Sequence, residues 1–243
     1  MLVGLKAWAK RGDSRLAQRL WRLAKALRGG SVPVVPVVHK PLYALHLMVT
    51  GTWANLVRAL YWTPLFQSRL EAPAPNLYLY GGMPLVLGRL RLRFGADCRM
   101  SAQSTFSGRP SSADPVLTVG RNVDIGWQTT IAVGRRVTIG DNVRIAGRAF
   151  LAGYPGHPLD AAARAAGLAD TDDQIGDIVL EDDVWLATDV TVSAGVTIGR
   201  GTIVAAGSVV TGDLPPHVLA AGAPARVVRA LAGSGSSPLP PAP

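Results

Sequence analysis

Residues 180–210 read LEDDVWLATDVTVSAGVTIGRGTIVAAGSVV, and this stretch decides the fold. Every sixth residue in it is aliphatic, in the unbroken series Leu180, Leu186, Val192, Ile198, Val204 and Val210. An α-helix repeats near every 3.6 residues and an ordinary strand every two, so neither element explains the spacing. Six residues suffice for one short strand and a corner, and three such units close a triangular coil. Stacked coils pair their strands in parallel and bury the aliphatic residues as a continuous column.

The same period extends toward the N-terminus, with a polar insert at 107–114 and one slip of two residues. The apolar residues at this spacing are Phe94, Met100 and Phe106, then Val119, Ile125 and Ile131, then Val133, Ile139, Ile145 and Leu151. Small side chains at the fifth position, such as Cys98, are expected to fill the remaining interior. We therefore predict an all-β protein with a parallel β-helix over residues 88–215.

Three segments around the repeats lack the period. Residues 154–177, YPGHPLDAAARAAGLADTDDQIGD, are predicted to leave the coil as a loop, and long loops in compact domains are commonly functional. Residues 216–232 are predicted to form a short C-terminal helical segment. Residues 233–243 are rich in Gly, Ser and Pro and are predicted to be a disordered tail.

Residues 1–87 are predicted to form an N-terminal extension, beginning with a basic amphipathic helix over 3–28. Its leucines recur at helical spacing, at Leu16, Leu20, Leu23 and Leu27. Residues 1–30 also hold eight Lys or Arg against one Asp, which accounts for most of the net charge of +9. Such a segment attracts an anionic surface, and the absence of a nucleic-acid-binding motif favours a membrane over nucleic acid.

The prolines Pro33, Pro36 and Pro41 predict extended backbone after this helix. The uncharged stretch 41–57 that follows is at or below the ~20 apolar residues that span a bilayer. We therefore expect residues 1–67 to lie on the anionic inner face of the cell membrane without crossing it, which makes the protein cytoplasmic and peripherally associated. The single cysteine excludes a disulfide framework and a thiolate metal cluster, and a reducing compartment fits.

Four segments resemble the hexapeptide-repeat acyltransferases, in particular the galactoside and maltose acetyltransferases and those of exopolysaccharide (colanic-acid-type) gene clusters. They are VTIGDNVRIA (137–146), GHPLD (156–160), residues 180–216 and AAGAPARVVR (220–229). The resemblance covers roughly residues 117–230. It implies a left-handed β-helix, an exception to the right-handed crossover rule, and a homotrimer with active sites between neighbouring coils. It further implies acetyl-CoA as the co-substrate and no metal.

The resemblance also implies roles for particular residues. His157 of GHPLD takes the position of the general base, and Trp185 matches an aromatic residue near the acetyl and pantetheine groups, although it could instead pack at a trimer interface. Arg226 matches a basic residue near the nucleotide end of CoA. The positions that line the CoA arm are Ala187, Thr188, Ala206 and Thr211.

The sequence departs from the family at two places. Many relatives carry Lys where this chain has Gly212, which implies the loss of a phosphate contact. The sugar-binding residues of the relatives do not transfer cleanly, and Asp124 and Gln128 are nearby polar candidates for contact with the acceptor.

The chemistry of acetyl transfer favours a catalytic role for His157. An acetyl thioester is already activated, so the barrier lies in making an alcohol attack at neutral pH, and a histidine accepts that proton with a gain of ~10²–10⁴-fold. We expect direct transfer of an acetyl group to a hydroxyl of a sugar or glycan, in polysaccharide or glycolipid biosynthesis. One of Asp160, Asp170, Asp172, Asp173 and Asp177 could orient His157, while the alternative is that most of them form a solvated acidic loop.

Three alternative functions share parts of this pattern. A γ-type carbonic anhydrase shares the β-helix but needs three zinc-bound histidines, whereas the repeat region holds only His157 and His217. A catalytically inactive β-helix scaffold or binding module at the membrane stays open because of Gly212. A fused nucleotidyltransferase is disfavoured, since residues 1–87 contain no Gly-rich phosphate-binding motif after a strand.

Overall fold

The computed structural model describes residues 7, 8, 10 and 14–231. The N-terminal part of the predicted amphipathic helix and the predicted disordered tail at 233–243 therefore lie outside the described residues. The chain divides into two compact units, Met1–Thr52 and Trp53–Pro243.

The first unit contains the helix α1 (Arg15–Gly29), which confirms the described part of the predicted amphipathic helix. Its cap is Ser14, whose hydroxyl accepts a hydrogen bond from the N–H of Ala17 at 3.1 Å. The leucines Leu16, Leu20, Leu23 and Leu27 are exposed.

The prediction of extended backbone after α1 is wrong beyond residue 35, because helix α2 (Pro36–Val57) begins there and contains Pro41. Pro36 is the first residue of the helix, where a backbone N–H would have no carbonyl partner within the helix. Pro41 removes a single backbone hydrogen bond in the first turns of the helix. A π-helical turn (Arg58–Trp62) and helix α3 (Thr63–Gln67) follow. Among the helices that the structure describes, none combines the length and hydrophobicity that a bilayer crossing requires.

The second unit is built from short strands. In chain order they are β1 (Tyr78–Tyr80), β2 (Leu85–Leu87), β3 (Arg91–Phe94), β4 (Arg99–Ser101), β5 (Thr105–Gly108), β6 (Val116–Val119), β7 (Asp124–Ile125), β8 (Thr130–Val133), β9 (Arg136–Ile139), β10 (Arg144–Ile145), β11 (Phe150–Ala152), β12 (Ile178–Leu180), β13 (Trp185–Leu186), β14 (Thr191–Ser193), β15 (Thr197–Ile198), β16 (Ile203–Val204), β17 (Val209–Val210), β18 (Val218–Gly222) and β19 (Ala225–Ala230).

These strands form three parallel sheets, which are the three faces of a left-handed β-helix of about six turns. Face A contains β3, β6, β9, β12 and β15, and face C contains β2, β5, β8, β11, β14 and β17. Face B contains β1, β4, β7, β10, β13 and β16, followed by β18 and β19. The predicted aliphatic residues stack in register, so that Ile125 pairs with Ile145 and Ile145 with Leu186 on face B. All three are buried, which confirms the predicted core column.

The coil begins before residue 88, the predicted boundary. Leu79 of β1 pairs with Met100, and Val86 of β2 pairs with Phe106, so both strands belong to the β-helix. The period is hidden here because Gly81 and its neighbour adopt positive φ and lengthen the spacing between Leu79 and Val86.

Residues 58–67, which we expected to lie on a membrane, are also part of this unit. Phe66 of α3 is buried in the core, with its ring edge-on to Phe94 at 5.9 Å between centroids. The guanidinium of Arg58 lies over the ring of Tyr78, 4.6 Å from its centroid. For Phe66, and in part for Trp62, packing against the coil replaces the predicted membrane contact, whereas Leu60, Tyr61 and Leu65 are exposed.

The predicted C-terminal helix over 216–232 is also wrong within the described residues. Strand β18 extends face B beside β16, and β19 returns antiparallel to it. The reason is a period of two, since Val218 and Ala220 are buried while their neighbours Leu219 and Ala221 are only partly buried. This alternation continues the coil's sheet and is incompatible with a helical face.

The loop between β11 and β12 contains helix α4 (Ala161–Ala165) and a 3₁₀ turn (Asp172–Gln174). Asp160 caps α4 by accepting from the N–H of Ala163 at 2.7 Å. The structure therefore places 154–177 outside the repeats, as a loop that contains two short helical segments.

Candidate active site

Two of the three corners of the coil carry the predicted site residues. The C–A corner leads from face C to face A and contains residues 109–115, 134–135, 153–177, 194–196 and 211–213. The B–C corner leads from face B to face C and contains residues 126–129, 146–149, 187–190 and 205–208.

His157 lies on the loop at the C–A corner and is exposed. Its carbonyl oxygen accepts from the side-chain amide of Gln174 at 3.4 Å. Within the described part of the chain no group hydrogen-bonds to its imidazole. The ring is therefore accessible to a substrate.

The loop is fastened to the coil by Arg109, which follows β5. This guanidinium is 3% exposed and donates from Nε to Asp170 Oδ1 at 2.6 Å, and from Nη2 to the Asp170 carbonyl at 2.6 Å. Its Nη1 donates to Asp172 Oδ1, also at 2.6 Å. The second carboxylate oxygen of Asp170 accepts from the N–H of Gly156, the residue before His157, at 3.0 Å.

Burial alone would lower the pKa of Arg109, but the two carboxylates outweigh it and raise the pKa. The guanidinium is thus a permanent charge inside the loop anchor. Arg109 is not predicted from the sequence, because an arginine in a polar insert carries no local signal for a partner 61 residues away.

None of the loop aspartates contacts the imidazole. Asp160 caps a helix, Asp170 and Asp172 bind Arg109, and Asp177 accepts from the N–H of Arg136 at 3.1 Å. Hydrogen bonding by Thr171 lowers the pKa of Asp173. The hypothesis of a carboxylate that orients the ring directly is therefore wrong for this conformation of the loop.

Trp185 projects from face B with 48% of its surface exposed. In register it follows Arg144, which follows Asp124, along one outward row. The carboxylate of Asp124 accepts from Arg99 Nη2 at 2.8 Å, so this candidate for acceptor contact is engaged in an ion pair.

Thr188, Ala187, Ala206 and Gln128 share the B–C corner. The N–H of Gly207 donates to the Thr188 carbonyl at 2.9 Å, which stacks the residues around 188 and 206 one turn apart. Further along the same corner the N–H of Arg148 donates to the Trp127 carbonyl at 2.8 Å, next to Gln128. Gln128 is exposed, and its side chain has no hydrogen-bond partner among the described residues.

Thr211 and Arg226 line a common hollow of about 350 Å³, together with Gly212 and Asp213. An added Cβ at Gly212 would meet nothing within 4 Å, so the hollow is open at the position where many relatives carry Lys. Arg226 Nη1 donates to the carbonyl of Ala225 at 2.8 Å and is otherwise exposed.

The structure therefore divides the predicted site between two corners of one chain. His157, Thr211 and Arg226 lie on the side of the C–A corner, whereas Ala187, Thr188, Ala206 and Gln128 lie at the B–C corner. Face C and the buried core column separate the two groups within one coil.

Two other kinds of group could carry chemistry, a thiol and a metal site. Cys98 is buried, and burial raises the pKa of its thiol, which confirms the predicted core role and disfavours nucleophilic attack. No set of three His, Cys, Asp or Glu side chains with the arrangement of a metal site occurs among the described residues.

Comparison with known proteins supports the repeat and the fold. Residues 177–212 match the bacterial transferase hexapeptide family (six repeats). The galactoside O-acetyltransferase of Escherichia coli (strain K12) is 40% identical over 113 residues, which are 46% of this chain and 53% of that protein. The chain thus spans about half the length of this curated relative.

A solved structure shares the fold. AntD, an N-acyltransferase from Bacillus cereus in complex with dTDP and 3-hydroxybutyryl-CoA, superposes with a TM-score of 0.54 at 16% identity, over 70% of this chain and 87% of that one. The six-residue period and the three-faced coil show a β-helix of hexapeptide repeats, and about half of the chain is similar in sequence to a galactoside O-acetyltransferase.

Proposed function

We propose that the protein is an O-acetyltransferase that moves an acetyl group from acetyl-CoA to a hydroxyl of a sugar or glycan. The observation that carries this proposal is His157: the GHPLD histidine stands on an anchored loop at a corner of the coil, with an exposed and unengaged imidazole. The name of the Escherichia coli relative supports the reaction class and the sugar acceptor.

In the proposed reaction the imidazole of His157 accepts the proton of the acceptor hydroxyl as its oxygen attacks the thioester carbonyl carbon. The C–S bond then breaks, and the protonated imidazole returns the proton to the departing CoA thiolate. Backbone N–H groups would stabilise the oxyanion of the tetrahedral intermediate. No protein nucleophile is required, because the thioester is already activated.

The co-substrate would lie along the small residues of the B–C corner. Ala187 and Ala206 leave room for the pantetheine arm, Thr188 offers a hydroxyl beside it, and Trp185 supplies an aromatic surface near the acetyl end. At the C–A corner, Thr211 and Arg226 would contact the nucleotide end through the hollow they share.

A site that uses both corners needs two copies of the chain. Face C keeps the corners apart in one coil, whereas the C–A corner of one copy can meet the B–C corner of a neighbour around a threefold axis. We therefore propose a homotrimer with three interfacial sites. At such a site Gln128, with its free amide, is a better candidate for acceptor contact than Asp124, which is paired with Arg99.

We further propose that the enzyme works on the inner face of the cell membrane, in polysaccharide or glycolipid biosynthesis. The support is the row of exposed leucines on α1 beside its basic residues, and the 22-residue helix α2, none of whose side chains is buried. An acceptor attached to a lipid would then share the membrane surface with the enzyme.

The deciding experiment is a screen of glycan acceptors with labelled acetyl-CoA, followed by kinetics of His157→Ala. We expect kcat to fall by ~10²-fold or more while the melting temperature is kept, since only proton transfer is removed. The matched control is Leu159→Ala, an exposed residue of the same loop, which should retain turnover. Near-normal turnover of His157→Ala would reject the assigned base.

One alternative has an observation in its favour. Gly212 leaves the hollow beside Arg226 open where many relatives place a Lys, which suits a β-helix scaffold that has lost CoA binding. Calorimetry with CoA separates the two proposals: the scaffold predicts no binding and no transfer to any acceptor.

A further inference from the structure

The loop that carries His157 is tied to the coil through a buried ion pair. The backbone of Arg109 is fixed to the coil, because its N–H donates to the Val133 carbonyl at 2.9 Å. Its side chain then reaches Asp170, and both side chains are nearly inaccessible, at 3% and 4% exposure. The pair therefore connects a rigid strand end to the most irregular segment of the described chain.

The second oxygen of Asp170 continues this connection to the peptide before His157. Asp170 Oδ2 accepts from the N–H of Gly156 at 3.0 Å, and Gly156 has a φ of +80° at a bend of the chain immediately before the histidine. Two weaker ties flank it: Tyr154 donates its hydroxyl to Ser107 at 3.1 Å, and Gln174 donates to the His157 carbonyl at 3.4 Å.

A buried pair of this kind is costly to retain for stability alone. Desolvation of two charges commonly offsets their attraction, and apolar replacements of similar size are often as stable. The core of the coil is already an aliphatic column that does not include either side chain. What an apolar pair could not supply is a carboxylate oxygen directed at the N–H of Gly156.

We propose that Arg109 and Asp170 are positioning residues, which hold the backbone at Gly156 so that the imidazole of His157 is presented to the acceptor hydroxyl. This inference rests on the proposed role of His157 as the base. A base that is displaced by about 1 Å loses ~10²-fold in rate, so the tie acts on kcat.

The structure supplies a matched control on the same guanidinium. Asp172 also accepts from Arg109 at 2.6 Å, but its carboxylate is 84% exposed and makes no bond to the 154–157 segment. Loss of an exposed ion pair is worth at most ~1 kcal/mol, so Asp172→Asn should change kcat by less than about fivefold.

The experiment compares Asp170→Asn with Asp172→Asn in the full-length protein. For Asp170→Asn we expect kcat to fall by ~10²-fold with little change in KM for acetyl-CoA, because the B–C corner that lines the CoA arm is untouched. Hydrogen exchange of the amides in 153–177 should accelerate in this variant, while the amides of β11 and β14 keep their protection.

A double variant separates positioning from stability, because Asp170→Asn leaves the buried charge of Arg109 partly uncompensated. Arg109→Met with Asp170→Leu removes both charges, so the melting temperature should recover toward that of the wild type. We expect kcat to stay ~10²-fold low, since Gly156 still lacks its acceptor.

Recovery of kcat together with the melting temperature would show that the pair is only structural and would overturn the inference. Wild-type kcat and wild-type loop exchange in Asp170→Asn would do the same. If instead His157→Ala itself keeps normal turnover, the assigned base is rejected; unchanged exchange in 153–177 then also rejects the tie between Asp170 and the loop, and accelerated exchange upholds that tie.

Discussion

Asp182 Oδ1 accepts a hydrogen bond from the backbone N–H of Asp141 at 2.8 Å, one turn away along the coil. Asp141 does the same for the N–H of Arg121, at 2.7 Å. Both lie at the corner between faces A and B, where the chain bends and the strand ladders leave amides without carbonyl partners. A short series of carboxylates thus stabilises this corner across three successive turns.

We expect this arrangement to make the coil sensitive to acid. The N–H of Arg121, and then its guanidinium, hold the pKa of Asp141 below its ordinary value. A carboxyl with a lower pKa in the folded state contributes stability above its unfolded pKa of ~3.9 and loses that contribution as the pH falls through the folded value. Asp141→Ala should therefore melt below the wild type at pH 7, and the difference should shrink below about pH 4. Melting curves from pH 7 to pH 2.5 test this; a difference independent of pH would contradict it.

The same corner explains why Gly140 cannot carry a side chain. An added Cβ would lie 2.4 Å from Asp182 Oδ1 and 2.6 Å from the Asp182 nitrogen, and the backbone of the next turn cannot move away. Gly140→Ala should lower the free energy of unfolding by about 1–3 kcal/mol, the usual range for overpacking. Gly212→Ala is the control, because no atom lies within 4 Å of its added Cβ, and it should stay within about 0.5 kcal/mol of the wild type. Equal denaturation midpoints for the two variants would show that the corner is not tightly packed.

The β-helix could be predicted from the sequence because its core is periodic. Val192 and Val210 are separated by a multiple of six residues and stack in register on face C, so the local pattern predicts a contact between turns. The six-residue pattern does not predict the coil where the spacing between core residues changes while the fold continues. Between Leu79 and Val86 the glycines lengthen the corner, so the six-residue pattern does not predict the first turn of the coil.

The site could be predicted only in part. His157 carries a local motif, GHPLD, whereas the residues that hold its loop do not. Arg109 and Asp170 are far apart in sequence and resemble ordinary charges of a polar insert and an acidic loop, since burial is a property of the folded chain. The prediction of a C-terminal helix was wrong for a related reason. The alternation at Val218 and Ala220 indicates a strand only when it is known that β16 offers an open sheet edge for pairing.

Gly212 offers a direct test of the CoA site. The position is open and shares a hollow with Arg226, so Gly212→Lys would place an ammonium where a phosphate of CoA is proposed to lie. An exposed charge pair contributes up to ~1 kcal/mol, so KM for acetyl-CoA should fall by up to about fivefold. Gly212→Met, of similar length and without charge, is the control, measured by the same steady-state kinetics. An equal decrease in both variants would mean that the effect is not electrostatic.

The division of the site between two corners predicts complementation between chains. His157→Ala removes the proposed base at the C–A corner, and Ala206→Trp blocks the proposed CoA path at the B–C corner, where Ala206 is exposed and tolerates bulk. Each variant should be inactive alone, whereas mixed trimers that pair an intact corner from each chain should recover up to about a quarter of wild-type activity. Light scattering should give the mass of a trimer. Mixed assemblies without activity would place the whole site within one chain.

The last prediction concerns the N-terminal unit. Five basic residues on α1, from Arg15 to Arg28, accompany its exposed leucines, and the neighbouring helix α2 has no buried side chain. Each basic residue near an anionic bilayer contributes ~1 kcal/mol, so attraction should be strong and salt-sensitive, and the leucines should add an apolar component that salt does not weaken.

The structure sets the boundary for this test, because Phe66 is buried in the core and a truncation beyond it would damage the coil. A chain beginning at Trp53, the first residue of the second unit, removes the proposed anchor and keeps α3. The full chain should sediment with vesicles that contain phosphatidylserine and less so at high salt, while the shortened chain stays in solution. A full-length variant with Gln at Arg15, Arg19 and Arg22 should bind more weakly by ~1 kcal/mol for each charge removed, with its leucines intact. If the full and shortened chains are equally soluble at low salt, the exposed leucines do not meet a bilayer, and a second protein surface is the better candidate to cover them.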